Sequence, residues 1–103
     1  MEFSFAKAKY NIKVTSKFKK DYKKISKQGK DKQKLIKVLE TLANGQELEL
    51  QHRDHSLIND KVYKNCRECH IESDWLLIYK IQDNELLLLL FATGSHSELF
   101  NKW

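Results

Sequence analysis

Between Arg67 and Phe100 the chain gathers Arg67, Glu68, His70, Asp74, Trp75, Gly94, Ser95, His96 and Phe100 into two short clusters separated by an apolar hairpin. Proton-transfer groups, a cation and aromatic rings are the parts needed to cut RNA without a metal. In such a reaction the ribose 2′-OH loses a proton, the 5′-oxygen gains one, and the phosphorane between them needs stabilising charge. Imidazole suits both transfers because its reference pKa is about 6.5. The chain has four histidines, His52, His55, His70 and His96. Any one of them alone is more often a surface or structural residue.

Strand alternation puts Glu68 and His70 on one face and Cys69 and Ile71 on the other. The same alternation places Arg67 opposite Glu68 and His70 unless a bulge intervenes, which bears on its use as a phosphate-neutralising cation. Asp74 and Trp75 fall at the turn into the next strand, where the plain readings are a turn-forming side chain and a core ring. Phe100 can stack on a base or anchor the end of the chain. No metal or cofactor is expected. Cys66 and Cys69 spell C-x-x-C, but two cysteines are too few for a four-Cys zinc site. On a strand their spacing of three also sends them to opposite faces.

These residues need a scaffold, and the periodicity supplies one. Asn11 to Val14 predicts a short strand. Ser16 then offers an N-cap, with Phe18, Tyr22 and Ile25 as the buried stripe of a helix closed at Gly29. A second helix is expected from Asp31, with Leu35, Val38, Leu39 and Leu42 buried and Asn44-Gly45 as its stop. Gln46 to Lys61 reads as a polar loop that contains His52, Asp54 and His55. Three strands should follow: Val62 to Ile71, Trp75 to Gln82, and Glu85 to Ala92 after an Asp83-Asn84 turn. The expected fold class is α+β, in the order β-α-α-β-β-β. It has an antiparallel sheet with the helix hairpin on one face and the other face open. Ser95 with Glu98 fits a capping box starting a last helical turn, whose free N–H groups would form a small anion site beside His96.

At 103 residues the chain is expected to be one domain, residues 1–103. Three Gly and no Pro suit a compact globular protein, and no apolar run approaches the roughly 18 residues of a membrane span. The first ten residues lack a continuous apolar segment, so the cytoplasm is the expected compartment. Residues 1–37 carry 13 Lys against Glu2, Asp21 and Asp31, whereas residues 38–103 carry 11 acids against six basic side chains. That asymmetry predicts a basic face attracted to a polyanion such as nucleic acid.

Three stretches add to this reading: Asp54-His55-Ser56-Leu57, Arg67 through Tyr79, and Thr93 through Phe100. In order and spacing they resemble the YafQ-type branch of the RelE/ParE toxin superfamily. Its pattern runs roughly D-H-P-L, then R-D/E-x-H-V/I-x-P-D-W-I/L-L-I-Y, then R-T-G-S/T-H-x-x-L-F. The resemblance implies a type II toxin–antitoxin toxin that cuts translated mRNA on the ribosome and is held inactive by a cognate antitoxin protein. By motif matching, His55, His70, Asp74 and His96 fall on catalytic positions, with Arg67, Glu68, Trp75 and Phe100 around them. His96 would be the general acid, Asp74 or His70 the base, and His55 would help hold the phosphate. Ser56 and Ser73 stand where the pattern has Pro, and Ala92 stands where it has Arg. Loss of that cation removes a phosphate-stabilising group, for which Arg67, Lys61 and Lys64 are the candidate replacements. The alternatives are a non-catalytic poison like the ParE branch, or a plain RNA-binding module.

Overall fold

The structure, a computed structural model, describes residues 3–100. Strand β1 (Asn11–Val14) leads into helix α1 (Ser16–Lys27) and helix α2 (Lys32–Ala43). Strands β2 (His55–Ser56), β3 (Arg67–Glu72), β4 (Trp75–Gln82) and β5 (Leu87–Gly94) follow, and the short helix α3 (His96–Leu99) comes last. The strands form one sheet in the order β1-β5-β4-β3-β2. Antiparallel pairing holds from β2 through β5, whereas β1 lies parallel to β5, so the sheet is mixed and not wholly antiparallel. The parallel edge follows from connectivity: β1 enters α1 directly, and the start of α1 is bonded to β5.

The helix stripes read from the sequence are the ones buried. Phe18, Ile25, Leu35, Val38, Leu39 and Leu42 pack on Cys69, Ile71, Trp75, Leu77, Tyr79, Leu88 and Leu90. Each such side chain contributes about 1.5–3 kcal/mol when fully withdrawn from water. The opposite sheet face is only half open. Tyr63, Cys66, Leu76, Ile78, Ala92 and Leu99 form a second cluster there, roofed by the 57–66 loop and α3. Cys66 and Cys69 are both free and lie in different clusters, on opposite faces as their spacing required. Burial pushes both thiols up.

Several boundaries differ from expectation. Thr15, not Ser16, caps α1, its side chain accepting the Phe18 N–H at 3.0 Å. β3 starts at Arg67 rather than Val62, because the Asp60 carboxylate takes the N–H groups of Val62 and Tyr63 and Asn65 adopts a left-handed φ of 59°. The β4–β5 link is a 3-10 turn over Asp83–Glu85 with Leu86 left-handed, which delays β5 to Leu87. β2, inside what read as a loop, is held at the sheet edge by side-chain bonds described below.

The most consequential irregularity lies in β5. Ile78 pairs with Ala92 but Tyr79 pairs with Leu90, so Phe91 is an extra, bulged residue. Leu88 and Leu90 face the helices, while Ala92 is turned to the other face. α1 satisfies the backbone groups around the bulge. The Thr15 hydroxyl donates to the Phe91 carbonyl at 2.8 Å, and the Asp21 carboxylate accepts the Thr93 N–H at 3.0 Å. Replacing Asp21 by Ala leaves the buried Thr93 amide without an acceptor and is expected to cost about 1–3 kcal/mol of stability. Lys17→Ala, which removes only the exposed partner of Asp21, should cost less than about 0.5 kcal/mol. Urea melts of the two variants measure this, and equal losses would contradict the assigned role of Asp21.

Candidate active site

His55 stands on β2, and its neighbours fasten it. Alternation sends Asp54 and Ser56 to the side opposite His55, where Arg67 donates to the Asp54 carboxylate at 3.3 Å and to the Ser56 hydroxyl at 2.9 Å. The Tyr79 hydroxyl donates to the same Asp54 oxygen at 2.5 Å. Burial, followed by this carboxylate, pushes the Tyr79 phenol well above its ordinary range. Arg67 therefore lies on the helix side, as parity required, and is spent on pinning β2. It does not face the site as a free phosphate-neutralising cation.

On the other face, His55 pairs in register with Glu68. Glu68 is only 6% exposed. Its Oε1 lies 3.4 Å from His55 Nε2 and 3.6 Å from His70 Nε2. A buried carboxylate is tolerated when paired, and here its partners are two imidazoles. The other ring nitrogen of His55 meets the Arg53 carbonyl at 2.7 Å, and that of His70 meets the Ser73 carbonyl at 3.3 Å. Each ring thus lies between a backbone carbonyl and the Glu68 carboxylate.

The remaining groups arrive from the strand ends. His70 pairs with Leu76 and Leu76 with Gly94, so the β3–β4 turn and the exit of β5 meet at one edge of this face. The Asp74 Oδ1, in that turn, accepts the backbone N–H of His96 at 2.9 Å. The exit is sharp: Gly94 has φ 157°, and a Cβ there would sit 2.9 Å from Glu98 Oε1. That oxygen accepts the Ser95 N–H at 2.8 Å while Ser95 Oγ accepts the Glu98 N–H at 3.2 Å, the capping box expected from the sequence. The His96 ring is tilted on Phe100 at a centroid distance of 5.0 Å. Phe100 in turn meets Tyr63 edge-on at 5.5 Å. Tyr63 donates to the Leu99 carbonyl at 3.2 Å, and burial pushes its phenol up to about 12.

The structure thus brings His55, Glu68 and His70 into one contact set and Asp74, His96 and Phe100 into another at its edge. Trp75 is elsewhere: its ring is core on the helix side, and its indole N–H donates to Thr93 Oγ1 at 2.9 Å. Lys61 and Lys64 are exposed on the 57–66 loop. At the start of α3, where an anion site was expected, the N–H groups of His96 and Glu98 are taken by Asp74 and Ser95. Ala92 is fully buried in the row His55–Glu68–Ile78–Ala92, so a residue at this position shares the face of the histidines. Sequence reasoning missed Thr15, Asp21, Tyr63 and Tyr79, whose bonds link residues far apart in the chain. The only available hint was the rarity of acids in the basic N-terminal third.

The family model for YafQ, a bacterial toxin of type II toxin–antitoxin systems, matches residues 10–101. The chain belongs to the YafQ family. It is 39% identical over 91 residues to the mRNA interferase toxin YafQ of Escherichia coli strain K12, covering 87% of this chain and 95% of that protein. Its structure resembles YafQ in the E. coli DinJ-YafQ toxin-antitoxin complex with a TM-score of 0.80 and 35% identity, covering 89% of this chain and 98% of the other. A metal-bound toxin from Helicobacter pylori matches with a TM-score of 0.80 and 44% identity, covering 86% and 97% respectively. Among the described residues of this chain no group of three or more His, Cys, Asp and Glu side chains is arranged to hold a metal ion. As a YafQ toxin of a type II toxin–antitoxin system, the chain is an mRNA interferase, an endoribonuclease. The ParE-like and binding-only alternatives fall away.

One ion pair gives this YafQ toxin a measurable pH signature. The Lys24 ammonium, 2.7 Å from Glu98, and then the Ser95 N–H hold the Glu98 carboxyl down to about 2. A carboxyl depressed from its unfolded value near 4.3 stabilises the fold above that value and loses the contribution as pH falls through the folded one. Glu98→Gln should therefore be about 1 kcal/mol less stable than wild type at pH 6, with the gap closing toward pH 2. Urea melts at pH 6, 4 and 2.5 test this, and a constant gap would contradict it.

Proposed function

We propose that this toxin cuts RNA without a metal, with His96 as general acid, Asp74 as general base and the His55–His70 pair as the cation at the scissile phosphate. The observation that carries the reading is the buried Glu68 carboxylate within ion-pair range of both imidazoles. With the Glu68 carboxylate against one nitrogen and a carbonyl against the other, these rings are placed to lie against a phosphate, and the base role falls to Asp74. Its Oδ1 is occupied by the His96 amide, while the exposed carboxylate has a second oxygen for the 2′-OH. The 2′-oxygen forms its bond to phosphorus as its proton passes to Asp74. The bond from phosphorus to the 5′-oxygen breaks as His96 protonates that oxygen. The products are a 2′,3′-cyclic phosphate and a 5′-OH end.

The family arginine is absent at Ala92, and the His55–His70 pair supplies positive charge on the same sheet face. Arg67 is unsuited to that task because it is held on the helix side. Phe100, tilted against His96 and braced by Tyr63, is suited to pack against a base beside the cleaved bond. Lys19, Lys20, Lys23 and Lys27 are exposed on α1 and fit ribosomal RNA, which would place the toxin on translated mRNA in the cytoplasm. Lys61 and Lys64 would meet the RNA strand. No helix among the described residues is long and apolar enough to cross a membrane. A cognate antitoxin would hold the toxin inactive, in keeping with the E. coli YafQ structures determined with DinJ.

The test is 5′-end mapping of a defined mRNA incubated with the purified protein in EDTA, with and without translating ribosomes. Discrete cuts with 2′,3′-cyclic phosphate ends are expected, and His96→Ala and Asp74→Asn should each lower the rate by about 10²–10⁴. Cleavage that persists undiminished in His96→Ala would overturn the acid–base assignment.

A further inference from the structure

We infer that His52 is a positioning residue for the His55–Glu68–His70 set, an inference that rests on the catalytic reading above. The last β2–β3 pair is His55 with Glu68, so two residues further along β3 the carbonyl of His70 lies beyond the end of β2. The imidazole of His52 meets it there, Nδ1 to oxygen at 2.7 Å. A carbonyl only accepts, so this nitrogen carries the proton.

His52 ends a 3-10 turn, Leu50–His52, that buries no side chain of its own. The next residue, Arg53, is left-handed at φ 47°, a conformation that is strained for a residue with a side chain and that reverses the chain. The Arg53 carbonyl then accepts from His55 Nδ1 at 2.7 Å. Contacts and covalent chain together close a ring: His52 meets the His70 carbonyl, the backbone runs from His52 to the Arg53 carbonyl, that carbonyl meets His55, and Glu68 joins His55 to the His70 ring. His52 is the link that fixes the Arg53 carbonyl relative to β3, and with it the Nδ1 hydrogen bond and direction of the His55 ring. Misplacing a reacting or charge-stabilising group by about 1 Å can cost as much as 10²-fold in rate. Because the 3-10 turn contributes nothing to either core cluster, losing this link should leave the fold intact.

The test compares Phe, which fills the space without a donor, with Asn, whose side-chain N–H can replace Nδ1–H. Single-turnover cleavage at saturating ribosomes should fall about tenfold in His52→Phe, with half-saturating ribosome concentration within twofold of wild type. His52→Asn should recover most of the rate, and the urea midpoint should barely move in either. In parallel, nitrogen-15 NMR of the imidazoles should find a fixed Nδ1–H on His55 in wild type and in His52→Asn, and loss of that fixed state in His52→Phe. If His52→Phe cleaves like wild type, or keeps the His55 signature unchanged, the inference is overturned. If wild-type protein itself fails to cleave, the catalytic reading fails, and the NMR comparison still decides the role of His52.

Discussion

Two hydrogen bonds, from Thr15 at the cap of α1 and Asp21 within it, hold the β5 bulge that sets the phase of the strand leading into the site. A regular β5 would continue the alternation of Leu88 and Leu90, turning Ala92 toward the helices and carrying the chain past His70 in the wrong phase. The Phe91 bulge resets that phase, at the expense of leaving backbone groups without ladder partners. Thr15 takes one and Asp21 another. Thr15 also caps its own helix, so a single side chain both starts α1 and anchors β5. The basic helix is therefore tied to the sheet next to the strand that delivers Gly94, Ser95 and His96.

From this constraint the site divides into two halves with different fastenings. His55 and His70 are set by strand pairing around Glu68, with Arg67 and Tyr79 gripping Asp54 and Ser56 behind β2. Asp74 and His96 are set by a turn and a helix start that bond to each other. The first half is built around a buried carboxylate; the second is exposed at the end of the sheet. Such a split suits the proposed reaction, in which one pair of groups holds the phosphate while another moves protons. Preorganised charge costs no rearrangement at the moment of reaction.

Local chemistry was legible in the sequence and long-range satisfaction was not. The stripes of α1 and α2, the Ser95–Glu98 capping box, the shared face of Glu68 and His70 and the opposed cysteines all follow from periods of 3.6 and 2. The resemblance identified the family. Hidden from both was the bulge, because the run from Leu86 to Phe91 is apolar on either phase and leaves no alternation to break. β2 was hidden for a related reason: two residues carry no period, and what fixes them is Arg67, eleven residues downstream of Ser56. The choice of Thr15 over Ser16 as cap likewise depended on a carbonyl 76 residues away. Where an anion site was expected before α3, Asp74, remote in sequence, takes the His96 amide.

The claim that α1 sets the phase of β5 is tested most directly by amide hydrogen exchange at Thr93, measured by NMR beside mRNA cleavage in wild type and Asp21→Ala. The account predicts a slowly exchanging Thr93 amide in wild type. In the variant that protection should be lost, together with that of the His96 amide, and cleavage should fall at least about tenfold while the protein stays folded. A Thr93 amide that exchanges equally in both proteins, or full cleavage by the variant, would contradict it.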